Sequence, residues 1–372
     1  MEIEPFLIER WYERYEFTTE LMLSSSDCES WTIADLLELE PDATARFHTQ
    51  RLGYTETRGA PGLRASVASL TDTCSADDVT ILAAAEEAIF VAMHALLRSG
   101  DHVIVETPCY ASALTVARST GAEVSEWTRR FEDGWAHDLD ALESLLRPET
   151  RLLYVNSPHN PTGTQLAAAT QAALVELARE REIVLFSDEV YRGLEHDPAA
   201  RLPQAADLYD RALSLGAPSK ALGLPGLRLG WLVSRDPELH RAIVDLKLYT
   251  TICSSAPSEF LTELALRHHD LLLERNRGLV LGNLPLVEEM LARHADTMRW
   301  VRPTAGPIGF PRLSGVDDTE PFCEALAVEH SVLLLPGSVY GLPGHVRIGF
   351  GRAEIAEALA RFERFLVTRT AV

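Results

Sequence analysis

Ser214-Leu-Gly-Ala-Pro-Ser-Lys-Ala-Leu-Gly-Leu-Pro-Gly-Leu-Arg-Leu-Gly-Trp231 sets one lysine between an apolar run and a glycine-rich turn. Ahead of Lys220, Arg211-Ala-Leu-Ser-Leu-Gly216 reads as a short buried strand. Behind it, Gly223, Pro225, Gly226 and Gly230 let the backbone bend sharply and approach a ligand, and Arg228 adds a fixed positive charge. A lysine amine held in a dry pocket near other cations loses its proton readily and becomes a nucleophile able to form a Schiff base. Lys220 is the candidate for that role. A solvated lysine on a surface loop is the alternative that this stretch alone leaves open.

Two upstream runs decide between them. Asn156-Ser-Pro-His-Asn-Pro-Thr-Gly163 follows the apolar Leu152-Leu-Tyr-Val155, and Phe186-Ser-Asp-Glu-Val-Tyr191 ends the apolar run that begins at Ile183. In this order and strand context the three motifs resemble the class I/II aminotransferases of the fold-type I pyridoxal-phosphate (PLP) enzymes, over nearly the whole chain. The resemblance implies an α/β, aspartate aminotransferase-like PLP-dependent transferase fold, with a mostly parallel sheet in a large domain and a smaller α+β domain. It also implies PLP as cofactor, a small-molecule amino acid as substrate, and a homodimer with shared active sites.

The chain order agrees with that architecture. From about residue 70 to 250, short β-rich runs alternate with alanine- and leucine-rich helical ones, the pattern of a sheet covered on both faces. Strands are expected at 79–82, 102–105, 152–155, 183–186, 212–215 and 230–233. Each chemical motif follows a strand end, where ligands of such sheets bind. The expected division is an N-terminal arm with part of the small domain (1–45), the large PLP-binding domain (46–257) and the small C-terminal domain (258–372). Phe6, Leu7, Ile8 and Trp11 are expected to pack the arm onto the body, and a helix is expected within 30–39. A long helical region at 258–296, short strands at 298–301, 308–312, 332–335 and 346–349, and a helix at 354–367 complete the small domain. Gly337-Ser-Val-Tyr-Gly-Leu-Pro-Gly344 is a glycine-punctuated loop that, by resemblance, faces the cofactor.

By the same resemblance, Lys220 carries the Schiff base and then moves the proton at Cα. Asp188 is the anion that keeps the cofactor's ring nitrogen protonated. Asn160 and Tyr191 donate to the phenolic oxygen, Asn160 at the substrate end also, with a cis bond expected before a nearby proline. Tyr110 matches the aromatic stacked on the ring face. The phosphate cup is made by backbone amides at the helix start Ala84-Ala85-Glu86, by Ser219 and Arg228, and by Tyr54 reaching across from a neighbouring protomer. Arg347, in His345-Val-Arg-Ile-Gly349, holds the substrate carboxylate. Three positions depart from the family: Ala84 where glycine is usual, Ala217 where a hydroxyl is usual, and Glu86, whose carboxylate is expected to turn away from a dianionic phosphate.

Composition bounds the reaction class. The chain has 372 residues, 46% of them apolar, and a formal charge of −21, which disfavours a nucleic-acid partner. No apolar run reaches membrane-spanning length, and the acidic Met-Glu-Ile-Glu-Pro start is unlike a signal peptide, so the cytoplasm is the expected compartment. Five scattered cysteines and one adjacent histidine pair suggest neither a disulfide framework nor a metal site. The default expectation is an aminotransferase acting at the α-carbon of a free L-amino acid. Stretches 23–32, 225–231 and 335–341 also resemble a subgroup that includes capreomycidine synthase and other cyclases of hydroxylated arginine. Elimination and ring closure on an arginine-derived amino acid is therefore the alternative, with Glu9 and Asp27 pairing a guanidinium at the pocket mouth. A non-catalytic ligand-binding module on the same fold is a distant third.

Overall fold

The computed structural model describes residues 2–370. Its centre is a seven-stranded sheet in the order Val79–Leu82, Gly230–Val233, Ala212–Gly216, Val184–Asp188, Thr150–Asn156, His102–Thr107, Glu123–Thr128. Gly230–Val233 runs antiparallel to both neighbours, and the remaining pairs are parallel. All the expected strands form, because their runs of Val, Ile and Leu are buried on both faces. The edge strand Glu123–Thr128 is the one the sequence reading missed. Of its six residues only Trp127 is buried, so it has no continuous apolar run to betray it.

Parallel pairing brings the motif-bearing strand ends to one rim. Asn156 lies directly beside Asp188 across the ladder, and the next strand ends at Gly216, four residues before Lys220. Helix Ala84–Leu96 starts at the same rim.

The N-terminal helix Leu7–Tyr15 buries Ile8, Trp11 and Tyr15, a spacing of three and four that makes one apolar stripe. Trp11 donates its indole N–H to the carbonyl of Leu334 at 2.9 Å, and Leu21–Met22 pairs in parallel with Val332–Leu333. These ties lay the start of the chain against its last third. Leu7, expected to pack inward, is 50% exposed, since the stripe turns it to solvent. The 30–39 helix is shorter than expected, Ile33–Leu37, begun by a reciprocal Thr32–Asp35 cap. The long helical region is two helices, Ala256–Arg267 and His269–Arg293, broken where His268 leaves helical geometry. The strands beyond 298 are two-residue pairs, apart from Val346–Gly349, which is as expected. No described helix is long and apolar enough to cross a membrane.

Candidate active site

At the sheet rim a cavity of about 410 Å³ gathers Lys220, Asp188, Tyr191, Ala84, Ala85, Glu86, Tyr110, Asn160, Ser219, Arg228, Arg347, Glu9 and Asp27. Among the residues assigned a site role from the sequence only Tyr54 lies elsewhere; Ala217, one of the departures, does not line the cavity either. Tyr54 is 92% exposed, so within one protomer it contributes nothing to the cavity.

Lys220 donates from Nζ to Ser26 Oγ at 2.8 Å. Burial lowers its pKa; Asp27 and Glu9 pull the other way, while the positive charges of Arg347 and Arg228 add to the lowering. The Asp188 carboxylate is buried, accepting from Tyr154 Oη at 2.9 Å and from the Val190 amide at 3.2 Å. Burial pushes its pKa up to about 6, against those two donors and Lys220. Asn156 ties this corner together. Its Nδ2 donates to the Asp188 carbonyl at 2.9 Å, and its Oδ1 accepts from the Asn160 amide at 2.7 Å. The peptide before Pro161 is cis, as are those before Pro158 and Pro108.

Arg347 is 1% exposed, so its guanidinium faces the interior and not solvent. Its guanidinium donates to Tyr12 Oη and Tyr340 Oη, both at 2.5 Å, to the Ser24 carbonyl at 2.8 Å and to Asn160 Oδ1 at 3.2 Å. Tyr340 in turn donates to Asn160 Oδ1 at 3.0 Å, so the 337–344 loop reaches the site through this phenol. Tyr191 Oη is buried without a partner at hydrogen-bonding geometry among the described residues.

The opposite end departs from the simplest expectation. Ala84 takes a φ of +76°, a left-handed conformation that explains why glycine suits this place and that costs alanine about 1 kcal/mol. Glu86 lines both this cavity and the adjoining recess that holds Ser112. Its carboxyl is pushed up to about 7, by burial first, with Glu9 and Asp188 adding repulsion and Ser112 and Arg228 opposing. Near neutral pH it carries a proton about half the time, so its nearness to an anion costs less than a fixed carboxylate would.

The two carboxylates expected to meet a substrate guanidinium already have partners in the chain. Asp27 accepts both its bonds from Arg352 Nη2, at 3.1 and 3.0 Å, and Glu9 accepts from Tyr110 Oη at 2.7 Å. Tyr110 also packs edge-on against Phe6, with ring centroids 5.1 Å apart. Glu16 lines the same wall and was not foreseen. Burial and the charges of Glu9 and Asp27 raise its pKa.

Tyr12, Tyr154 and Arg352 are the other residues that sequence reasoning missed, and no local pattern marks them. Ser24 and Ser26 sit in the polar loop 23–28, which by resemblance forms part of the substrate pocket, and Tyr340 sits in the glycine-punctuated loop. Taken together, the cavity offers an amine with a loosened proton, a buried carboxylate fit to face a cation, an unpartnered phenol and a buried guanidinium. Such a set suits a cationic heterocycle bearing an electrophilic carbon, and a carboxylate beside it.

Comparison with known proteins agrees. The family model "Aminotransferase class I and II" matches residues 18–362. Capreomycidine synthase from Streptomyces vinaceus is 34% identical over 97% of this chain and 93% of its own length. Among solved structures, a PLP-dependent aminotransferase from Streptococcus suis superimposes with a TM-score of 0.93 at 29% identity, covering 99% of both chains. The PLP-dependent cyclase OrfR superimposes with a TM-score of 0.91 at 30% identity, covering 99% of this chain and 98% of its own.

Proposed function

Because this chain belongs to the class I and II aminotransferase family and is a pyridoxal-phosphate-dependent enzyme, we propose that it acts at the α-carbon of a free L-amino acid, with transamination as its default reaction. The observation that carries the proposal is the meeting of Lys220, Asp188 and Arg347 in one cavity. The cofactor fits these residues: Tyr191 Oη, buried near Ser26 and with no partner at hydrogen-bonding geometry among the described residues, is a donor open to an acceptor in the cavity that Lys220 and Asp188 line.

When bound, PLP supplies an electron sink for charge developing at Cα. The chain does the rest. Lys220 would hold the cofactor and supply the amine that carries the proton to and from Cα, helped by burial that keeps the amine from holding its proton too tightly. Asp188, fixed by Tyr154 and Val190, holds a proton on the ring nitrogen. Asn160 and Tyr191 would hold the cofactor's phenolic oxygen, and Tyr110 would pack against its ring. The Ala84–Glu86 amides, Ser219 and Arg228 bind the phosphate. Arg347 binds the substrate carboxylate, exchanging some of its present acceptors for it.

Tyr54 stands 92% exposed, which supports a homodimer in which it reaches the neighbouring protomer's phosphate end. Five free cysteines support a reducing, cytoplasmic setting. The division at about 45 and 257 is supported by the main sheet lying wholly within 79–233.

Arg347→Gln is expected to raise KM for the amino acid about 30- to 100-fold, the loss of a charge-assisted pair worth about 2–3 kcal/mol. Steady-state kinetics with the variant check it. A KM within threefold of wild type would remove the residue from carboxylate binding.

Elimination and cyclisation of an arginine-derived amino acid is the second reading. It is favoured by the likeness to capreomycidine synthase and by Glu9 and Glu16, carboxylates that line the cavity, with Glu9 bonded to Tyr110 and Glu16 facing Arg352 only through its charge. Incubation with arginine, hydroxyarginine and a panel of ordinary amino acids, with and without 2-oxoglutarate, separates the two by product mass. Transamination stops after one turnover when no acceptor is supplied, whereas cyclisation continues and gives a product that retains the α-amino nitrogen.

A further inference from the structure

A second cavity, of about 510 Å³, shares no lining residue with the first. It lies between the turn that follows the edge strand, from Thr128 to Trp135, and the segments around 299, 312–317 and 342–345. In a chain of net charge −21 its walls carry four arginines, Arg129, Arg130, Arg299 and Arg312, against two carboxylates, Glu132 and Asp317.

Three features of this wall leave donors free for a ligand, Arg130, Arg299 and Arg312 being exposed and His345 buried. Arg299 and Arg312 are direct cross-strand partners, an arrangement that sets like charges side by side on one face. Arg312 has one acidic partner, Glu132 at 2.8 Å, while the side chains of Arg130 and Arg299 make no ion pair or hydrogen bond among the described residues. His345, bridged to Arg312 and only 6% exposed, leaves its Nε2 buried without a partner among the described residues. Arg129 is already neutralised, by Glu106 at 3.0 Å, and forms the closed back of the cavity.

An anion in the cavity has these groups to engage. We propose that this cavity binds a small, multiply charged anion, a phosphate ester or a di- or tricarboxylate, between the guanidinium groups of Arg130, Arg299 and Arg312. Planar forked donors converging from separate segments suit such groups, and a ligand held there ties the turn after the sheet edge to the segments beyond 298. The site lies behind the catalytic one. His345 stacks on Phe310 at 5.0 Å, Phe310 packs edge-on against Tyr340 at 5.4 Å, and Tyr340 bonds Arg347.

The test is calorimetric titration of the cofactor-loaded enzyme with inorganic pyrophosphate and, separately, with citrate, at fixed ionic strength. Saturable one-site binding of either probe is expected, weakened at least tenfold in the Arg130→Gln/Arg299→Gln double variant. It should be unchanged in Arg241→Gln, an exposed arginine elsewhere on the surface. The two probes distinguish the phosphate source from the carboxylate source. A bound probe should also raise Tm of the wild type and not of the double variant, with the visible spectrum unchanged. Absence of saturable binding by both probes, or equal affinity in the double variant, would overturn the proposal. The outcome is independent of which reaction the first cavity performs.

Discussion

Lys220→Ala is expected to reduce turnover by about 10⁴-fold or more, since one substitution removes both the tether and the group that moves the Cα proton. The folded protein should tolerate it. The amine makes a single hydrogen bond, to Ser26, and removing a desolvated ammonium relieves a cost of burial, so Tm should stay within a few degrees of wild type. The variant should still bind PLP through the phosphate end and the Asp188 corner, but reversibly, so that exhaustive dialysis strips it. Retention of the cofactor through denaturation after borohydride treatment of the variant would show that another group is the tether.

The second large effect is at Asp188. Asp188→Ala should lower kcat by about 10²- to 10⁴-fold, because the ring nitrogen loses the buried anion that keeps its proton in place, while KM changes little. A kcat within tenfold of wild type would remove that role.

Asp188→Asn adds a test in the cofactor-free protein. There the folded carboxyl titrates at about 6, above an unfolded value of roughly 3.9. Between those values the folded chain keeps a proton that the unfolded chain has shed. The contribution of this group to stability is therefore full below about pH 4 and is lost as pH rises through 6. The loss amounts to about 3 kcal/mol at most. Cofactor-free Asp188→Asn should accordingly melt higher than the cofactor-free wild type at pH 8 and no higher at pH 4, with the order at pH 8 reversed once PLP is bound. A parallel pair of melting curves at the two pH values decides it.

The residues readable in the sequence share one property: each stands in a short motif at the end of a buried strand. Lys220, Asp188 and Asn160 are placed by the sheet itself, whose strands announce themselves through continuous apolar runs. Arg347 was legible for a similar reason, on the strand Val346–Gly349. Its surroundings were not. Tyr12 and Ser24 reach it across more than 320 residues of chain, a meeting made by the N-terminal stripe of Ile8, Trp11 and Tyr15 rather than by any local pattern. Tyr154 was read as strand interior, which it is, yet its hydroxyl at the strand's far end supports Asp188. Charged residues were the hardest to read. A sequence shows that Asp27 and Glu86 are acids, but whether an acid is paired or uncharged depends on what folds over it. Asp27 is held by Arg352, and burial moves the titration of Glu86 up to about neutrality.

The central claim, that position 220 holds the cofactor, has an unusually clean test because the chain contains only two lysines, Lys220 and Lys247. Lys247 is also buried, bonding Thr251 at 3.1 Å, but it does not line the cavity. The PLP-loaded protein, reduced with borohydride and digested, should give one peptide carrying the mass of a reduced phosphopyridoxyl group, and that peptide should contain Lys220. The same mass on the Lys247 peptide, or on neither, would contradict the account.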